Sequence, residues 1–158
     1  MLTDGDWSGD TTTCKRTSIG TVPIGKHLVE SWSLNQKCIA LSTAESEFYA
    51  IGSGAARGLT VKSVMKEITE SIHKTPAKDV TLELLTDSNA ARGMCHRAGV
   101  GKVRHLQIRY LWVQQSLKEQ LFTLGRIDTK TNASDLGTKP LGEEEVKKHM
   151  CRLGLRRC

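Results

Sequence analysis

Three prolines, five cysteines and 4% aromatic residues in 158 positions leave little room for several protein classes. No apolar run approaches the roughly 20 residues that cross a bilayer, so no membrane partner is expected. A basic-then-apolar start of signal-peptide type is missing as well. Cys14, Cys38, Cys95, Cys151 and Cys158 are scattered and odd in number, and none forms a C-x-x-C pair. That excludes a zinc knuckle and a disulfide framework, and the expected state is reduced thiols in an intracellular, cytoplasmic protein. The five histidines lack metal-ligand spacing. There is no internal repeat, low-complexity tract or linker. With so few aromatics, Trp7, Trp32 and Trp112 are expected in the core rather than as stacking platforms.

What remains is an ordinary globular composition, 38% hydrophobic and 25% charged, with a net charge of +6. The length suffices for one domain with a real core. The basic balance weakly favours a polyanionic partner.

The β-prone runs "TSIGTVPI" (17–24) and "HLVESWS" (27–33) meet at Gly25-Lys26 and read as a hairpin. "CIAL" (38–41) either extends that sheet or approaches the next helix. Ser42 with Glu45 forms a capping box, in which each side chain accepts from a free backbone N–H. Phe48, Ile51, Ala55 and Leu59 follow at core spacing through about Ile68. Gly52, Gly54 and Gly58 weaken that helix but permit close packing on a sheet. Residues 79–87 alternate as a strand, "SNAARGM" opens a helix, a further helix covers roughly 103–119, and "LFTLGRI" is another strand. "TNASDLGTKPL" is a turn and short helix, and a polar helix covers 143–155. Strands first, then strand–helix alternation, predict a mixed α/β sheet. The expected division is a domain over 1–141 and a polar C-terminal helix or tail over 142–158.

The opening "TDGDWSGD" concentrates acids. Asp4, Asp6, Ser8 and Gly9 fit the first half of an EF-hand loop, but Lys15 stands where the bidentate Glu belongs and no entering helix precedes Asp4. Four acids sit at marked places. Asp4 lies in the β-prone start, Glu47 in an early turn of the long helix, Asp87 at a strand end, and Asp135 after the last strand. Bland roles exist for three. Asp87 and Asp135 (or Asn132) suit helix caps, and Asp4 suits a turn. Glu47 has no such role, because Glu45 already serves the capping box, and it borders the buried stripe one turn before Ile51. A carboxylate there needs a partner, and a cation shared with other acids is one.

"TDGDWSGD", "KRTSIG", "SWSLNQKCIALSTAESEFYAI", "LLTDSNAA", "KVRHLQIRYLWV" and "NASDLGTKPL" occur in the order found at the C-terminal end of copia-type retrotransposon polyproteins, a region that resembles a ribonuclease H domain. The likeness covers nearly the whole chain. It implies a ribonuclease H-like fold, a five-stranded mixed sheet flanked by helices. It also implies cleavage of the RNA strand of RNA–DNA hybrids during reverse transcription, with two Mg²⁺ ions (or Mn²⁺) as cofactors. The acidic quartet carries over as Asp4 in T-D-G, Glu47 in "EFYA", Asp87 in T-D-S and Asp135 in N-x-x-D. These four are the implied catalytic residues and metal ligands. Two such ions about 3.5–4 Å apart activate water and stabilise the leaving oxygen.

Lys102, Arg104, His105 and Arg109 match a basic segment of the family and are candidate nucleic-acid contacts, against a plain reading as the solvated start of a helix. Asp6 and Asp10 also match but acquire no role beyond turn packing or support of a bound water. Only Met1-Leu2-Thr3 precede Asp4, so the resemblance implies a truncated first strand in a fragment or decayed copy of a longer polyprotein. An upstream reverse transcriptase domain is then the expected partner, and a virus-like particle the setting in a live element. Two non-enzymatic readings stay open. One is an inactive ribonuclease H-like module that binds hybrid or tethers the transcriptase. The other is a structural basic domain whose acids are caps.

Overall fold

The computed structural model describes residues 1–5, 16–74, 80–99, 101 and 110–155. A five-stranded mixed sheet runs in the order β3-β2-β1-β4-β5. Its strands are β1 (Leu2–Gly5), β2 (Thr17–Ile24), β3 (His27–Asn35), β4 (Glu83–Thr86) and β5 (Thr123–Arg126). β1–β2 and β2–β3 are antiparallel, while β1–β4 and β4–β5 are parallel. Helices α1 (Thr43–His73), α2 (Asn89–His96), α3 (Trp112–Lys118) and α4 (Glu143–Arg152) accompany the sheet. This is the α/β, ribonuclease H-like arrangement that the sequence predicts.

The β2–β3 hairpin turns at Gly25, whose φ of 61° falls in the region glycine tolerates best. Its register shifts between Val22 and Pro23, where proline removes a ladder donor. "CIAL" joins no strand. It leads instead to the N-cap of α1, where Ser42 Oγ accepts from Glu45 N–H at 3.2 Å. The return half of the capping box is displaced by one residue: Glu45 Oε2 accepts from Leu41 N–H at 2.9 Å.

α1 is 31 residues long and outruns the periodicity that ends near Ile68. Its N-terminal half supplies the core. Phe48, Ile51 and Ala55 are fully buried with Leu84, Val113 and Phe122 around them. A Cβ at Gly54 would stand 2.4 Å from Thr3 Cγ2, and one at Gly58 would stand 2.8 Å from Met1 Sδ, so both glycines let α1 lie directly on β1. Val64, Ile68 and Ile72 in the outer half are exposed.

β4 begins at Glu83, later than the alternation over 79–87 suggests. Periodicity reports faces, whereas a strand also needs a neighbour, and β1 offers a single paired register to it, Leu2 with Leu85. The predicted helix over 103–119 is described from α3 onward, with Val113 buried; residues 102–109 lie outside the described residues. Two short 3₁₀ turns, Thr129–Thr131 and Ala133–Gly137, replace the single short helix expected before Pro140. α4 packs on the second turn and buries His149.

Trp32 is buried, with the Arg57 guanidinium 5.0 Å from its ring centroid, and Trp112 packs partly buried against the core. Cys38 and Cys95 take part in no disulfide, as expected. Cys151 corrects that expectation, because it is disulfide-bonded. Sequence spacing could not reveal this, since disulfide pairing depends on spatial approach. Among the described residues, no helix is long and apolar enough to cross a membrane.

Candidate metal centre

β1 and β4 lie side by side in the middle of the sheet and run in the same direction. Their carboxyl ends therefore open on the same edge, where α/β sheets build sites. Asp4 is the third residue of β1, and Asp87 directly follows β4. Glu47 arrives from the second turn of α1. Gly5 permits that approach, because a Cβ there would lie 2.9 Å from the Ser46 backbone carbonyl.

These three side chains converge. Each of Asp4, Glu47 and Asp87 offers a carboxylate oxygen, and the three atoms lie within 4.8 Å of one another. It is the only such cluster of acidic, histidine or cysteine ligands among the described residues. Asp4 and Glu47 are buried, and Asp87 is half-buried.

The cluster is electrostatically uncomfortable on its own. The Glu47 carboxyl is pushed up to about 9, chiefly by burial, then by the Asp4 charge, a hydrogen bond shared with Asp4, and the Asp87 charge; the Gly5 N–H works the other way. Glu47 Oε2 is buried without a hydrogen-bond partner among the described residues. A buried lone pair facing two other acids costs free energy unless a cation takes it. All the donor atoms are carboxylate oxygens, the set preferred by hard ions such as Mg²⁺, Mn²⁺ or Ca²⁺. The residues present therefore fit a divalent cation.

The bland roles considered for Asp87 and Asp135 are filled by neighbours. Ser88, not Asp87, caps α2, its Oγ accepting from Ala91 N–H at 3.2 Å. Asn132, not Asp135, caps the second 3₁₀ turn, its Oδ1 accepting from Ser134 N–H at 3.2 Å. Asp135 is buried close enough to feel the Asp4 and Asp87 charges, yet it is not one of the three clustered acids. It forms an ion pair with Lys139 Nζ at 2.9 Å. Burial raises the Asp135 carboxyl to about 6, with the charges of Asp4 and Asp87 adding and Lys139 opposing. For Lys139, burial alone would favour the neutral amine, but Asp135 and the other acids outweigh it and raise its pKa.

Two participants carry no motif of their own in the sequence. Lys139 lies four residues after Asp135, a spacing at which opposite charges meet on one turn of helix, so its position is a usable signal. Thr138 Oγ1 donates to Asp4 Oδ2 across a separation of 134 positions, which no local pattern encodes. Asp6, Asp10, Lys102, Arg104, His105 and Arg109 lie outside the described residues.

No protein-family model matches the chain. Similarity is found to retrovirus-related Pol polyproteins. The one from transposon TNT 1-94 of Nicotiana tabacum is 27% identical over 139 residues, 87% of this chain. Those from transposons RE1 and RE2 of Arabidopsis thaliana are 21% and 20% identical over 98% and 96% of it. The chain spans 10% of the length of each of these relatives.

Proposed function

We propose that the chain is a ribonuclease H-type, metal-dependent endonuclease that hydrolyses the RNA strand of RNA–DNA hybrids during retrotransposon reverse transcription. The observation that carries this reading is the convergence of Asp4, Glu47 and Asp87 at the carboxyl ends of two adjacent parallel strands. The similarity to Pol polyproteins supports the setting.

Asp4, Glu47 and Asp87 would hold a divalent ion, and Asp135, close enough to feel the charges of Asp4 and Asp87, would be the fourth acid of the site. Bound ions supply water activation and stabilisation of the leaving oxygen in phosphodiester hydrolysis. The chain's own task is to hold acidic oxygens at one edge of the sheet, with Glu47 presented from α1 and Asp135 from the second 3₁₀ turn. A net charge of +6 suits a polyanionic substrate despite the acidic centre. Lys102, Arg104, His105 and Arg109 are assigned to the hybrid's phosphates. An upstream reverse transcriptase of the same polyprotein is the proposed partner, in the cytoplasm or within a virus-like particle.

One observation favours a second reading, an inactive hybrid-binding module: Asp135 is already paired with Lys139. The deciding experiment is cleavage of a strand-labelled RNA–DNA hybrid with Mg²⁺, Mn²⁺ or EDTA. The endonuclease reading requires metal-dependent cuts in RNA and sparing of double-stranded DNA, because the 2′-hydroxyl and groove shape distinguish the two. Hybrid binding without cleavage in either ion selects the inactive module.

A further inference from the structure

The stretch "NASDLGTKPL" supplies Asp135 and its ion-pair partner Lys139 but leaves Thr138 without a role. Thr138 is buried at 8% exposure, and its hydroxyl donates to Asp4 Oδ2. The backbone around it is fixed from several sides. Thr138 N–H and Lys139 N–H both donate to the Asp135 carbonyl at 3.2 Å. Asn132 Nδ2 donates to the Thr3 carbonyl at 3.4 Å, immediately before Asp4. A Cβ on Gly137 would come within 2.5 Å of Ile19 Cδ1, so the turn lies hard against β2. The hydroxyl thus stands on a rigid platform built outside the three-acid cluster.

A carboxylate rotates readily about its last torsion, and an aspartate whose two oxygens exchange places makes a loose ligand. Resting on the cation-site reading above, we propose that Thr138 is a positioning residue for that site: by occupying Oδ2 of Asp4 it fixes the carboxylate plane and leaves the other oxygen for the cation shared with Glu47 and Asp87. Partners that orient metal-bound carboxylates carry much of a site's affinity, and losing one typically weakens metal binding by about 10- to 100-fold. Thr138 acts through Asp4, to which its hydroxyl is bonded, so its loss should act on metal affinity rather than on the reaction at saturation.

The test is calorimetric titration of Mn²⁺ into the metal-stripped full chain, for wild type, Thr138→Val and Thr138→Ser. Thr138→Val preserves shape and deletes the donor; its Mn²⁺ affinity should fall by about tenfold or more. Thr138→Ser restores the donor and should bind close to wild type. The Mg²⁺ needed for half-maximal hybrid cleavage should rise by the same factor in Thr138→Val, with kcat at saturating Mg²⁺ near wild type. Should Thr138→Val fail to fold, Thr138→Cys fits the same space with a much weaker donor and should show the same loss. Equal Mn²⁺ affinity in wild type and Thr138→Val overturns the role of Thr138 and leaves the cation site standing. Equal weakness in Thr138→Val and Thr138→Ser assigns the residue to packing and overturns it too. A wild-type chain that takes up no Mn²⁺ overturns the cation site itself, and this inference with it.

Discussion

The first and second turns of α1 each bury a glutamate, and the two acids live in opposite surroundings. Glu45 is 1% exposed and its oxygens are occupied: Oε2 accepts from Leu41 N–H, and Oε1 accepts from the Tyr49 hydroxyl. Glu47 is 6% exposed, yet among the described residues its Oε2 has no hydrogen-bond partner, and the charges of Asp4 and Asp87 both act on it. Same helix, same residue type and similar burial yield one acid that completes a cap and one that crowds against like charge. Burial therefore does not separate a structural carboxylate from a ligand; the sign of what surrounds it does.

Exchanging each glutamate for glutamine is the sharpest way to break this contrast. In Glu47→Gln, hybrid cleavage should fall by a factor on the order of 100 or more, because a cation ligand loses its charge while the shape is kept. Glu45→Gln should still cleave. It keeps one acceptor but faces two donors, so it should cost roughly 1–3 kcal/mol in denaturant unfolding. Loss of cleavage in Glu45→Gln with survival in Glu47→Gln would reverse the two assignments.

Thermal unfolding in millimolar Mg²⁺ sharpens the same contrast without needing turnover. A cation bound only by the folded cluster raises Tm by mass action. Wild type and Glu45→Gln should gain together, and Glu47→Gln should lose most of that gain. Identical responses in all three proteins would mean that no cation sits among these acids.

The pH dependence of the metal-free protein is the next effect in size. The Glu47 carboxyl rises from 4.5 to about 9 on folding, so between those values the folded chain holds a proton that the unfolded chain has released. Stability should accordingly decline as pH climbs from about 4.5 to 9, at up to about 1.4 kcal/mol per pH unit from this group. Asp135, raised from 3.8 to about 6, adds a decline over that lower window. Urea unfolding across pH should show a flatter profile in Glu47→Gln and an unflattened one in Glu45→Gln.

Asp135 lies between the two cases, buried near like charges but supplied with a cation of its own. Lys139→Met removes that cation. Because the Lys139 side chain is 43% exposed, the loss should stay near 1 kcal/mol or below, measured by urea unfolding at pH 8. A loss several times larger would place Asp135 with Glu47 rather than between the pair.

Much of this contrast is legible in the sequence alone. The Ser42–Glu45 spacing removes Glu45 from the candidate ligands, and the position of Glu47 one turn before Ile51 marks it as a costly burial. The hairpin around Gly25 and the core stripe of α1 follow from local signals, namely turn chemistry and helical period. Features closed by distant residues are not legible. The Tyr49 hydroxyl on Glu45 and the late start of β4 are settled by tertiary contacts. The disulfide at Cys151 is another case, as is Thr138 on Asp4, where sequence separation hides adjacency. The family resemblance places Asp135 in a quartet, and the ion pair with Lys139 gives it a separate environment.

The central strand has a consequence for how the molecule comes apart. β1 is four residues long, and to β4 it offers the Leu2–Leu85 register together with backbone bonds of 2.9 Å from Met1 N to the Glu83 carbonyl and from Leu85 N–H to the Met1 carbonyl. The antiparallel ribbon of β3, β2 and β1 thus meets the parallel ribbon of β4 and β5 along a narrow seam. Asp4 stands on one side of that seam and Asp87 on the other. A cation gripped by both would act as a clasp across that narrow seam. Amide hydrogens beside it, Leu85 foremost, should then exchange with solvent more slowly when the clasp is shut.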